Sequence, residues 1–101
     1  MLRHIVWWTL KDEAGGYSPE ENARRVKEAS APLKTIPGVI SVEVSIDVAA
    51  TSTVPARIVL QSAHADGDAL NAYAEHPIHL RFVQLIRSVC ASRQALDYRI
   101  D

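Results

Sequence analysis

VISVEVSIDV, residues 39–48, alternates apolar and polar residues almost without a break. Side chains of an extended chain point to opposite faces in turn. Ile40, Val42, Val44, Ile46 and Val48 therefore share one face, and Ser41, Glu43, Ser45 and Asp47 the other. A period of two over ten residues predicts a half-buried strand in a sheet with one packed face.

Working back from this strand, the dipeptide PG at 37–38 is a firm stop for whatever precedes it. SPEE, residues 18–21, reads as a helix start. Ser18 is the cap, Pro19 suits the first turn, and Glu21 stands at the capping-box position. Ala23, Val26 and Leu33 give that helix its apolar stripe. Pro32 is expected to end or kink it near Ser30, with Ser30 capping a last short turn. Residues 2–11 read as the first strand, because Ile5, Val6, Trp7 and Trp8 are β-branched or aromatic. It is apolar on both faces, Leu2, Val6, Trp8 and Leu10 on one and Ile5 and Trp7 on the other. A strand with one wet face alternates cleanly, so both sides of the sheet are expected to be covered here.

Working forward, AATSTVPA, residues 49–56, reads as a loop. ARIVLQSAH, residues 56–64, reads as a third strand. DGDALNAYAE, residues 66–75, reads as a short helix capped by Asp66 and halted before Pro77. Pro77 opens another helix, with Ile78, Phe82, Leu85, Ile86 and Val89 as its stripe. ALDYRI, residues 95–100, reads as the last strand. The order β-α-β-β-α-α-β matches an α+β ferredoxin-like plait, an antiparallel four-stranded sheet with helices on one face. The open sheet face would be partly apolar, and packing on a second copy across a two-fold axis would bury it. A homodimer is therefore expected, with Trp7 and Trp8 as core and interface anchors pointing opposite ways.

The chain has 101 residues and a formal net charge of −1, with no basic block. One domain over residues 1–101 is expected, with neither a nucleic-acid surface nor an anionic-membrane anchor. Cys90 is the sole cysteine, so no internal disulfide forms within the chain. It reads as a small buried residue on a helix. MLRHIVWWTLKDE lacks the apolar core and cleavage site of a signal peptide, and no window approaches the roughly 20 apolar residues of a membrane span. A cytoplasmic protein is expected.

Four pieces, in order, resemble the stress-responsive dimeric α/β-barrel (Dabb) family: LRHIVWWTLKDEA, IPGVISVEV, YAEHPIHLRFV and VCASRQALDYRI. The resemblance runs nearly end to end. It implies two plaits packed sheet to sheet into a barrel. Many members of the family have no assigned reaction, and some plant members are stress-induced. A plant polyketide cyclase of this kind closes an aromatic ring by aldol-type chemistry, using a histidine and a tyrosine. Motif by motif, Tyr73 and His79 fall on those two positions, His76 on the histidine before the proline, and His4 on the early strand histidine. A further pocket histidine of the cyclase, on the third strand, is matched here by Arg57 or Ile58. Heme-binding and oxygenase proteins on similar barrels are analogies of fold alone.

The residues themselves allow two readings. Histidine titrates near neutrality, so His79 suits a general base. A tyrosine hydroxyl can donate to an oxyanion, which suits Tyr73. His4 could reach the same space, and a pocket there would have walls of Val6, Trp8, Phe82 and Ile86, with His76 near its mouth. In the plainer reading His76 caps the helix that Pro77 opens, His79 is a hydrogen-bonded core or rim residue on the row of Val83, Ile86 and Cys90, and Tyr73 only packs. HPIH beside Glu75 offers too few ligands for zinc, and its proline fits a helix start better, so no metal is expected. His64, at a strand end, lies too far along the chain to be counted with the others. No cofactor is expected. The expectation is a small-molecule-binding, stress-related module, or else a cofactor-free cyclase- or isomerase-like enzyme using His79 and Tyr73.

Overall fold

A computed structural model describes residues 1–101. Its elements run β1 (Leu2–Leu10), α1 (Pro19–Ala29), a 3-10 turn (Ala31–Thr35), β2 (Val39–Ser45), β3 (Ile58–His64), α2 (Gly67–Glu75), α3 (Pro77–Val89) and β4 (Cys90–Arg99). The four strands form one antiparallel sheet in the order β2-β3-β1-β4. This is the expected ferredoxin-like arrangement.

Local chemistry sets most of the boundaries. Ser18 and Glu21 form a reciprocal capping box at the start of α1. Asp66 accepts from the Ala69 N–H at 2.9 Å and starts α2. Before α1, Gly15 and Gly16 both have positive φ, closing a two-residue turn across the Ala14–Tyr17 bridge. Such a turn needs residues free to adopt φ > 0. Asn22 is fully buried beneath it and donates to the carbonyls of Ala14 and Tyr17.

The sheet packs its helix-facing side into the core. Val6, Trp8 and Leu10 of β1 and Ile58 and Leu60 of β3 meet Ala23 and Val26 of α1, Tyr73 of α2, and Phe82, Ile86 and Val89 of α3. The register carries the same alternation across the ladder, because Val6 pairs with Leu60 and Ala95, and Trp8 with Ile58 and Arg93. The opposite face carries no helix. Ile5, Trp7, Val59 and Tyr98 are half-buried there, and Leu96 is 54% exposed. Trp7 and Trp8 thus do lie on opposite faces, with Trp8 buried.

Four local expectations need correction. β2 is three residues shorter than its pattern, and a bulge between Val39 and Ser41 turns Ile40 out to 53% exposure. A bulge adds one unpaired residue, which breaks the two-residue period at that point. Ser30 does not cap the turn that follows; its hydroxyl donates to Lys27 O at 2.6 Å and so finishes α1. β3 begins two residues later than expected, at Ile58. β4 begins five residues earlier than expected, at Cys90, so Cys90 is a half-buried strand residue rather than part of a helix. The polar run from Ser92 to Gln94 is extended because it pairs with Thr9, Trp8 and Trp7 of β1. Such pairing overrides local preference, which is weak in strands. α3 passes into β4 with no residue between them, and the Lys11 N–H donates to Val89 O at 2.9 Å across that corner.

Ser18→Ala removes one half of the capping box. It is expected to cost about 1 kcal/mol of stability, read as a lower urea midpoint at unchanged slope. An unmoved midpoint would show that α1 is held by packing alone.

Candidate functional site

The residues singled out by sequence fall into one place, with one exception. A cavity of about 380 Å³ lies between the helix-facing side of the sheet and helices α2 and α3. His4, Val6, Trp8 and Leu60 line it from the sheet; Tyr73, His79, Phe82, Val83 and Ile86 line it from the helices; Arg87, Cys90 and Arg93 complete it. Its size is toward the lower end for small-molecule sites.

Tyr73 is the centre of the polar group. It is 1% exposed, and its ring lies 4.6 Å from that of His79 and 4.9 Å from that of His64. The three-residue step from His76 to His79 crosses the start of α3, and the row His79, Val83, Ile86 faces inward as helical spacing requires. The Tyr73 hydroxyl has no hydrogen-bond partner, although it is buried. Burial pushes its pKa up to about 12, so it is a neutral O–H donor at physiological pH. The buried Trp8 indole N–H is likewise unpartnered.

Each pocket histidine is fixed through Nδ1. The Ala74 carbonyl can only accept, so at 2.9 Å it takes the Nδ1–H of His79. That leaves Nε2 of His79 with a free lone pair. Burial holds the imidazole below its usual pKa; the bond to Ala74 opposes this, and the charges of His4 and Arg93 add to it. His4 is held by Asp97, its cross-strand partner on β4, through Nδ1 and Oδ1 at 2.5 Å. A carboxylate is also acceptor-only, so Nε2 of His4 is again the free nitrogen. The pair resembles the histidine–carboxylate unit by which a base is oriented.

His76 is the exception. It does not line the cavity, and its Nδ1 accepts from the Ile78 N–H at 3.1 Å. It caps α3, because Pro77 cannot contribute an N–H and the next free donor is that of Ile78. The third-strand position contributes no titratable group to the cavity. Ile58 is buried in the core, and Arg57 turns outward to Glu20 at 3.4 Å. No three histidine, cysteine or carboxylate side chains converge closely enough to hold a metal ion.

Sequence reasoning set His64 aside and did not single out Asp97, Arg87 or Arg93. His64 is fully buried, donates or accepts at Ser62 Oγ through Nε2 at 2.8 Å, and leaves Nδ1 unpartnered. Alternation along β3 from Ile58 through Leu60 and Ser62 would have placed it on the inward face. Asp97 is visible only once His4 is paired with it across the sheet.

The elements and their order define a ferredoxin-like α+β protein with a cavity between sheet and helices. The chain belongs to the stress responsive A/B barrel domain (Dabb) family, whose model matches residues 2–100. It is similar to a dimeric ferredoxin-like protein of unknown function from Bacteroides fragilis, with 27% identity and TM-score 0.80 over 98% of this chain and 95% of that one. A Dabb family protein from Mesorhizobium loti shows 25% identity and TM-score 0.77 over 98% and 95% of the two chains. A hydroxynitrile lyase from Passiflora edulis shares the fold, at 16% identity and TM-score 0.78 over 99% and 93%. No protein of curated function matches the chain.

Burial lowers the pKa of both His64 and His79 from 6.5. The unfolded chain therefore binds more protons than the folded one below that pH, so stability is full above it and falls as pH drops through it. The urea midpoint is expected to fall between about pH 7.5 and about pH 5.5. His64→Phe is expected to make that fall shallower; an unchanged pH profile would place His64 outside the effect.

Proposed function

We propose that the chain is a homodimeric small-molecule-binding protein whose ligand occupies the cavity between β1, α2 and α3. One observation carries this reading. The buried Tyr73 O–H and Trp8 N–H are unpartnered in residues that line a cavity also lined by His4 and His79. Buried donors are ordinarily satisfied. A ligand oxygen that reached them through a small shift of the lining side chains would satisfy them, and the walls of Val6, Phe82 and Ile86 would take an apolar body.

A second reading, a cofactor-free cyclase or isomerase, is favoured by the fixed tautomers of the two histidines. Free Nε2 of His79 would take a proton from the carbon next to a carbonyl. The Tyr73 O–H would donate to the developing enolate oxygen, where a donor counts most. Asp97 would keep His4 ready as a second acid–base group. Neutral imidazole is the form a base needs, and the burial of His79 favours it.

The dimer would close over the open face of the sheet, where Ile5, Trp7, Val59, Leu96 and Tyr98 gather. The dimeric relative from Bacteroides fragilis supports this. Burying such a patch is the usual way to remove it from water.

Three outcomes are expected. Titration with butyrophenone, a small phenyl ketone, should saturate and quench tryptophan fluorescence, and Val83→Trp, which fills the cavity, should abolish it. Absence of saturable binding, or binding indifferent to Val83→Trp, defeats the ligand reading. In deuterated water the chain should speed exchange of the ketone's α-protons, and His79→Ala should reduce that rate about 10²-fold or more with fold and dimer intact. No acceleration over buffer removes the enzyme reading. Leu96→Asp should convert the dimer to a monomer by light scattering; a dimer that persists would move the interface elsewhere.

A further inference from the structure

We propose that the cavity's ligand is an organic acid, held by its carboxylate at Arg87 and Arg93 and presenting its other end to the histidines. The proposal rests on the cavity being a ligand site and adds the chemical class.

The cavity has two chemically different ends. α3 places Arg87 eight residues after His79, about 12 Å further along the helix at 1.5 Å per residue. β4 runs back from the corner at Cys90 and reaches Arg93 four residues before Asp97, about 13 Å away at 3.3 Å per residue. The register fixes the match between the walls, since Trp8 pairs with Arg93 and His4 with Asp97. His4, Tyr73 and His79 therefore stand at one end, and Arg87, Cys90 and Arg93 at the other. The wall between them is Val6, Trp8, Phe82, Val83 and Ile86.

Neither arginine is neutralised by the chain. The ion pairs present are His4–Asp97 and Arg57–Glu20. No aspartate or glutamate lines the cavity, and neither guanidinium has a hydrogen bond to a side chain. A basic residue in the last turn of α3 suits the helix dipole, which accounts for Arg87 in part. Arg93 is on a strand and lacks that account; both side chains are solvent-exposed at the rim of the cavity. Two unpaired guanidinium groups flanking an apolar cavity match a planar carboxylate, which each can grip with two parallel N–H bonds. The apolar wall limits the body of the ligand to hydrocarbon or aromatic groups, and the spacing sets a carboxylate within about 12 Å of the group that meets Tyr73 and His79.

The test compares benzoylpentanoate, a phenyl ketone whose chain ends in a carboxylate, with its primary amide, by calorimetric titration of the full chain at low salt. The acid is expected to bind at least about tenfold tighter than the amide, the scale of a charge-assisted hydrogen bond. The double variant Arg87→Gln, Arg93→Gln is expected to remove the difference in affinity between acid and amide. Equal binding of acid and amide to the unmodified chain overturns the carboxylate assignment while the ligand site stands. A preference that survives in the double variant overturns the role of the arginines. Binding of neither compound overturns the ligand site together with the proposal.

Discussion

The whole arrangement depends on β1 being an inner strand, bonded on both sides. It pairs with β3 along one edge and β4 along the other, and its even-numbered residues point into the core. Leu2, Val6, Trp8 and Leu10 are buried for that reason. His4 belongs to the same row, so the period that buries its neighbours also carries a polar ring inside. A slip of one residue would put His4 on the open face and Ile5 in its place. The apolar neighbours thus hold the register, and the register brings His4 opposite Asp97. The polar pair occupies a position that hydrophobic burial has already determined.

The fold was largely legible because its strongest signals are local. The capping box at Ser18, the cap at Asp66 and the proline that opens α3 each act within four residues. What stayed hidden depends on contacts distant in sequence. The first half of β4 is polar and carries no strand pattern; only its ladder to β1 makes it extended. The bulge that expels Ile40 is likewise a property of the pairing between β2 and β3. Nothing in an alternating sequence marks where the partner strand falls out of step.

The candidate site divides along the same line. Tyr73 and His79 lie six residues apart on either side of one helix break, so nearness along the chain allows them to meet there. For His4 the sequence offered a shared space but no partner, because its neighbours in space come from elements distant in the chain. Asp97 is separated from it by 93 positions. His64 was passed over because distance along the chain is a poor guide when a strand leads straight into the helix that carries Tyr73. The sequence also left two uses open for His76, and its ring is spent on the N–H of Ile78.

The corner where α3 becomes β4 has a consequence for how such a cavity can change over time. Helix and strand meet there without an intervening loop, and the Lys11 N–H fastens the joint to the end of β1. A connection of zero length has nothing to lengthen, and one extra residue, Ala91, is already taken up in the register shift beside it; a further one would rotate either the row His79, Val83, Ile86 or the row Arg93, Asp97 out of alignment unless the ladder bulged again. Insertions, the commonest route by which loops reshape a binding surface, are therefore closed off at this end. Diversity in this part of the cavity must come by exchange of side chains at fixed backbone positions, Val83, Arg87, Cys90 and Arg93 foremost.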